Sequence, residues 1–122
     1  MENKKIIFYS ETDVIFGKEL AKKNEAFLVD CINDIDDIKE IQRMLQDINE
    51  VIFACPEWNG SYPWFFKKVI DSLAYKSFKG KTMSMIVWSG GNNKAEMLRM
   101  SLVHLAHFLQ MNIDCKFEYI ER

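Results

Sequence analysis

"EVIFACPEWNGSYP", Glu50 to Pro63, decides the fold of this chain. After Glu50, its first half is uniformly apolar through Cys55, as a strand covered on both faces of a sheet must be. Its second half holds both of the chain's prolines, a tryptophan, an Asn-Gly pair and a carboxylate. Pro56, Asn59 and Gly60 suit a turn, and Pro63 suits the first position of a helix. A buried strand, a mixed loop and a proline-opened helix make the repeating unit of a parallel α/β sheet.

Reading outward from this unit, strands and helices alternate. Upstream, "KKIIFYS" predicts a strand ending at Ser10, and "TDVIFGKELAKK" a helix with Val14, Leu20 and Ala21 inward. "EAFLVDC" predicts a second strand. "INDIDDIKEIQRMLQDINE" predicts a helix, with Ile35, Ile38, Ile41, Leu45 and Ile48 at spacings of three and four and acidic residues near its start. Downstream, the helix opened by Pro63 runs to about Tyr75 with Phe66, Val69, Ile70 and Leu73 buried. "TMSMIVW" predicts a fourth strand and "SGGNN" a loop. Lys94 to Gln110 forms a long helix with Ala95, Leu98, Leu102, Leu105 and Leu109 inward, and "IDCKFEYI" closes as a fifth strand. Right-handed crossovers then give a parallel sheet with helices on both faces. Ligands of such sheets bind beyond the carboxyl ends of the strands. The loops there are "SETD", "PEWNGSYP" and "SGGNN".

Bulk properties fit a single domain spanning residues 1–122. The chain is 48% hydrophobic and 28% charged, and its formal charge of −2 offers no basic excess for nucleic acid. Cys31, Cys55 and Cys115 are odd in number and lack CxxC spacing, which predicts reduced thiols in the cytoplasm rather than disulfides or a zinc site. No apolar run reaches membrane-spanning length. His104 and His107 have no ligand-spaced partner, so no metal site is expected.

After the third strand, Pro56, Glu57, Asn59, Gly60, Ser61, Pro63, Lys67, Ile70 and Asp71, with Trp58 in a tyrosine position, resemble the hallmark of the flavodoxin-like NAD(P)H-dependent FMN reductases. This family includes quinone, azo-dye and chromate reductases. Ser89, Gly90 and Gly91 match its second motif. The resemblance covers nearly the whole chain. It implies a three-layer sandwich with a five-stranded parallel sheet of order 2-1-3-4-5. It also implies FMN as cofactor, NAD(P)H as substrate and a small electron acceptor such as a quinone or free flavin. The ring would lie against Pro56, Glu57, Trp58, Asn59, Gly60 and Ser61 on one edge and Ser89, Gly90 and Gly91 on the other. Ser10 and Thr12 would serve the phosphate.

Two positions depart from the family. Its first loop reads Gly-Ser-x-Arg, whereas Ser10-Glu11-Thr12-Asp13 has neither glycine nor arginine. Glu11 and Asp13 bring negative charge to a place where a phosphate would sit, and Asp13 suits the N-cap of the following helix. Trp64 stands where the family has glycine, and it reads as an interface residue.

The alternative to a reductase is a flavodoxin-fold module that has lost its cofactor and serves in binding or assembly. A phosphoacceptor receiver domain matches in length, but Cys55 stands where that chemistry needs an aspartate. The sheet would also lack the helix that usually follows strand five. One face of strands three to five, with Phe53, Met85 and Val87, is therefore expected to be open, which predicts a homo-oligomer, most simply a dimer.

Overall fold

The computed structural model describes residues 3–88 and 93–122. Five strands and four α-helices alternate: β1 (Lys5–Tyr9), α1 (Val14–Lys23), β2 (Ala26–Asp30), α2 (Ile38–Leu45), β3 (Glu50–Pro56), α3 (Trp64–Ser72), β4 (Thr82–Trp88), α4 (Glu96–Phe108) and β5 (Asn112–Tyr119). A 3-10 turn, Tyr75–Phe78, follows α3. All pairings are parallel and the order is β2-β1-β3-β4-β5, the flavodoxin-like arrangement the resemblance implies.

Alternation along each strand divides the core into two layers. Ile6, Phe8, Val51, Phe53, Met83, Met85 and Val87 face α2, α3 and α4. Phe8 and Phe53 meet edge to face, and so do Phe53 and Phe66, with centroids 6.2 and 5.1 Å apart. Ile7, Tyr9, Ile52, Ala54, Ile86 and Trp88 face the α1 side. The expectation that Phe53, Met85 and Val87 line an open face is therefore wrong. Phe8, Phe53 and Met85 stand in register across the sheet, so all point the same way, into the three-helix layer. The opposite face is covered too. Phe16, Leu28 and Ile120 pack against it, and Ile52, Ala54, Ile86 and Trp88 are no more than 5% exposed.

The second helix is shorter than its sequence pattern predicts. Asp30 accepts from the amides of Ile32 and Asn33 at 3.0 and 3.2 Å, and Asp34 accepts from the Asp30 amide at 2.8 Å. These local bonds hold residues 31–37 in turns, because short acidic side chains compete with helix for the backbone amides. The expected inward residues of α3 and α4 are all buried. In α1, Gly17 has a packing role: a Cβ there would lie 2.6 Å from the Tyr9 ring, so glycine lets the helix approach β1.

Candidate functional site

At the carboxyl end of the sheet, the loop after β3 folds as a two-residue hairpin turn. Trp58 and Ser61 exchange backbone hydrogen bonds of 2.8 and 3.0 Å. Asn59 and Gly60 between them have φ of 51° and 78°. Positive φ at both central positions is what the Asn-Gly pair adopts at least cost. Glu57 ties this turn to the rest of the site. Its amide donates to the Trp88 carbonyl at 2.8 Å, and its carboxylate accepts from the Leu98 amide in the first turn of α4 at 3.0 Å. An acidic group there also meets the positive end of the helix. Asn59 is exposed and Trp58 is 45% exposed, its ring edge-on to Phe65 at 5.3 Å. Trp64 is 65% exposed.

The loop after β1 is built differently. Asp13 is the N-cap of α1, accepting from the Phe16 amide at 3.1 Å, and its main-chain carbonyl accepts from the Tyr9 hydroxyl at 2.5 Å. Glu11 accepts from Trp88 Nε1 at 3.2 Å and from the Tyr9 hydroxyl at 3.3 Å. Arg122 Nη2 lies 3.2 Å from both carboxylates, and its guanidinium stacks 3.8 Å above the Phe16 ring. The Phe16 amide and then Arg122 hold the Asp13 carboxyl below its ordinary range. Burial first, then the Glu11 charge, pushes the Tyr9 hydroxyl up, so it stays a proton donor.

Of the residues read from the sequence, Pro56, Glu57, Trp58, Asn59, Gly60 and Ser61 form one turn. Thr12 is exposed in the first loop, while Ser10 is fully buried, its hydroxyl 4.0 Å from Cys55 Sγ. Ser89, Gly90 and Gly91 lie outside the described residues. Burial raises both described thiols, Cys31 to about 12 and Cys55 well above its ordinary value, as inert buried cysteines behave. His104 and His107 are exposed. Among the described residues no His, Cys, Asp or Glu group could hold a metal, and no helix is long and apolar enough to cross a membrane.

Tyr9, Trp88, Met97 and Arg122 were not singled out as site residues by sequence reasoning. Met97 packs under the turn, its Cβ 3.5 Å from where a Gly60 Cβ would be. Trp88, directly before the Ser-Gly-Gly motif, carried a local signal. Arg122 carried none, since its partners lie at the other end of the chain.

The sheet order is flavodoxin-like, and the turn after β3 stands at the carboxyl end of that sheet. The model of the NADPH-dependent FMN reductase family matches residues 9–114, and the chain belongs to that family. Membership makes it an NAD(P)H-dependent flavin oxidoreductase, with FMN as the family's cofactor and NAD(P)H as its substrate. Among solved structures it is similar to an oxidoreductase from Corynebacterium diphtheriae, at 14% identity and TM-score 0.80, over 96% of this chain and 81% of that one. It is similar to FerB, a flavoenzyme NAD(P)H:(acceptor) oxidoreductase from Paracoccus denitrificans, at 20% identity and TM-score 0.76, over 96% and 79%. A third is general stress protein 14 from Treponema denticola in complex with FMN, at 13% identity and TM-score 0.71, over 97% and 85%. Among curated proteins, none matches the chain by sequence.

The described residues fit the two ends of FMN unequally. The turn at 58–61 offers an exposed Asn59 and the half-exposed ring of Trp58, an aromatic plane suited to a flavin ring. At the first loop the chain's own carboxylates occupy the helix N-terminus and the nearby donors.

Proposed function

We propose that the chain passes electrons from NAD(P)H through a flavin to a small acceptor, such as a quinone or a second, free flavin. The observation that carries this reading is the Asn59-Gly60 turn, held by Glu57 against the end of β4 and the start of α4 in a member of the FMN reductase family. In this reading Pro56, Glu57, Trp58, Asn59, Gly60 and Ser61 border one edge of the ring, and Ser89, Gly90 and Gly91 the other. The first loop, with Ser10 and Thr12, stands beside the ribityl end. When bound, the flavin supplies the redox chemistry, accepting a hydride from the nicotinamide and handing electrons to the acceptor. The chain's part is to orient the ring with backbone groups fixed at positive φ and to screen it from water with Trp58. FerB, named for NAD(P)H and an unspecified acceptor, supports this substrate class.

We also propose that the protein is a homodimer and, from its unpaired thiols, cytoplasmic. Trp58 and Trp64 both contact Phe65 edge-on, which makes an exposed aromatic patch suited to an interface. Light scattering after size exclusion checks this, and a monomer at tens of micromolar would remove the dimer from the account. The activity is tested by NAD(P)H oxidation with a quinone acceptor, with and without added flavin. Turnover that requires flavin is expected, and none in its presence would refute the reading.

A further inference from the structure

We propose that the flavin site of this chain is blind to phosphate: the loop between β1 and α1 is liganded by its own carboxylates, so the site takes riboflavin as readily as FMN. This rests on the flavin reading above and adds which class of flavin the site selects.

Four features of the loop carry it. An incoming phosphate would look for the free amides at the start of α1, and the Asp13 carboxylate already accepts from the Phe16 amide at 3.1 Å. It would look for side-chain donors, and Trp88 Nε1 already donates to Glu11 at 3.2 Å while the Tyr9 hydroxyl donates to the Asp13 carbonyl at 2.5 Å. It would look for a cation, and Arg122 is shared between Glu11 and Asp13 at 3.2 Å to each, pinned flat on Phe16. It would look for the loop hydroxyls, of which Ser10 is fully buried beside Cys55 and only Thr12, flanked by Glu11 and Asp13, is exposed. Two carboxylates against one guanidinium leave the loop with a net negative charge. A phosphate entering here must break these bonds and meet like charge, whereas riboflavin ends in a neutral hydroxyl and meets neither obstacle. Discrimination is left to the ring and its turn at 58–61, so FMN gains nothing from the group that distinguishes it from riboflavin.

Equilibrium titration of the protein with riboflavin and with FMN, read by flavin fluorescence quenching, tests this directly. The wild type is expected to bind riboflavin as tightly as FMN, within about threefold, or more tightly. The E11Q/D13N variant keeps the Trp88 acceptor and the helix cap while removing both charges. It is expected to tighten FMN by about tenfold and to leave riboflavin unchanged. FMN binding to the wild type about tenfold tighter than riboflavin would overturn the proposal and leave the flavin reading standing. Equal tightening of both flavins by E11Q/D13N would overturn it in the same way. Binding of neither flavin would overturn the proposal and the flavin reading together.

Discussion

Asp13 and Arg122 stand 109 residues apart in the chain and 3.2 Å apart in space. The contact joins the cap of the first helix to the residues beyond the last strand, and it brings a guanidinium to a loop that holds two carboxylates. The first loop is thereby a closed unit of the chain's own groups, and its behaviour follows from theirs.

Acid should open this unit through Asp13. The Phe16 amide and Arg122 depress its carboxyl below the ordinary value of 3.8. A depressed folded value means stability that is present above the unfolded pKa and is lost as pH falls through the folded one. Between about pH 5 and pH 3 the wild type should therefore lose melting temperature faster than Asp13→Asn, whose side chain still caps but does not titrate. Circular dichroism melts across this range check it, and parallel slopes would assign the acid sensitivity to other groups.

Gly17→Ala should destabilise, although alanine is the better helix former by about 1 kcal/mol. The added Cβ would lie 2.6 and 2.7 Å from two carbons of the Tyr9 ring. That ring has little room to move, being fully buried with its hydroxyl bonded to the Asp13 carbonyl. Overpacking of this kind costs about 1–3 kcal/mol, so a net loss near 1 kcal/mol and a melting temperature lower by about 4 °C are expected. A raised melting temperature would mean that α1 shifts away from β1 at little cost.

Glu57→Ala should uncouple the Asn59-Gly60 turn from α4. It removes the acceptor of the Leu98 amide at a helix start, worth about 1–2 kcal/mol of stability. Because the turn then loses its hydrogen bond to α4 and keeps the one from the Glu57 amide to Trp88, flavin-dependent turnover should fall further than stability alone explains. Melting and steady-state assays on the same preparation separate the two effects. Glu57→Gln, which keeps an acceptor, should recover most of both.

Strand and helix order was legible because each element carries its own period and its own punctuation. The uniform run Val51 to Cys55 and the leucines of α4 are local signals that need no partner to interpret. The Asn59-Gly60 turn was equally plain, since few pairs tolerate positive φ in succession. The direction in which a strand's side chains point was not legible. Phe53 and Met85 alternate with Ile52 and Ile86, both sets are apolar, and contacts such as that of Phe53 with Phe66 of α3 settle which layer receives which. The start of α2 was overextended because the isoleucine spacing continues through Ile35, while Asp30 and Asp34 bond their own backbone there. Asp13 as a cap could be read from residue type and position. Its pairing with Arg122, and the hold of Trp88 on Glu11, depend on contacts across the whole chain that no local pattern encodes.

Rapid mixing without oxygen asks whether this chain holds a flavin for reduction by a nicotinamide. Protein saturated with flavin is mixed with NADPH or NADH, and the loss of oxidised flavin absorbance is followed. Loss much faster than for the same flavin and nicotinamide without protein is expected, for riboflavin as well as FMN. Loss at the protein-free rate with both nicotinamides would refute the flavin reading.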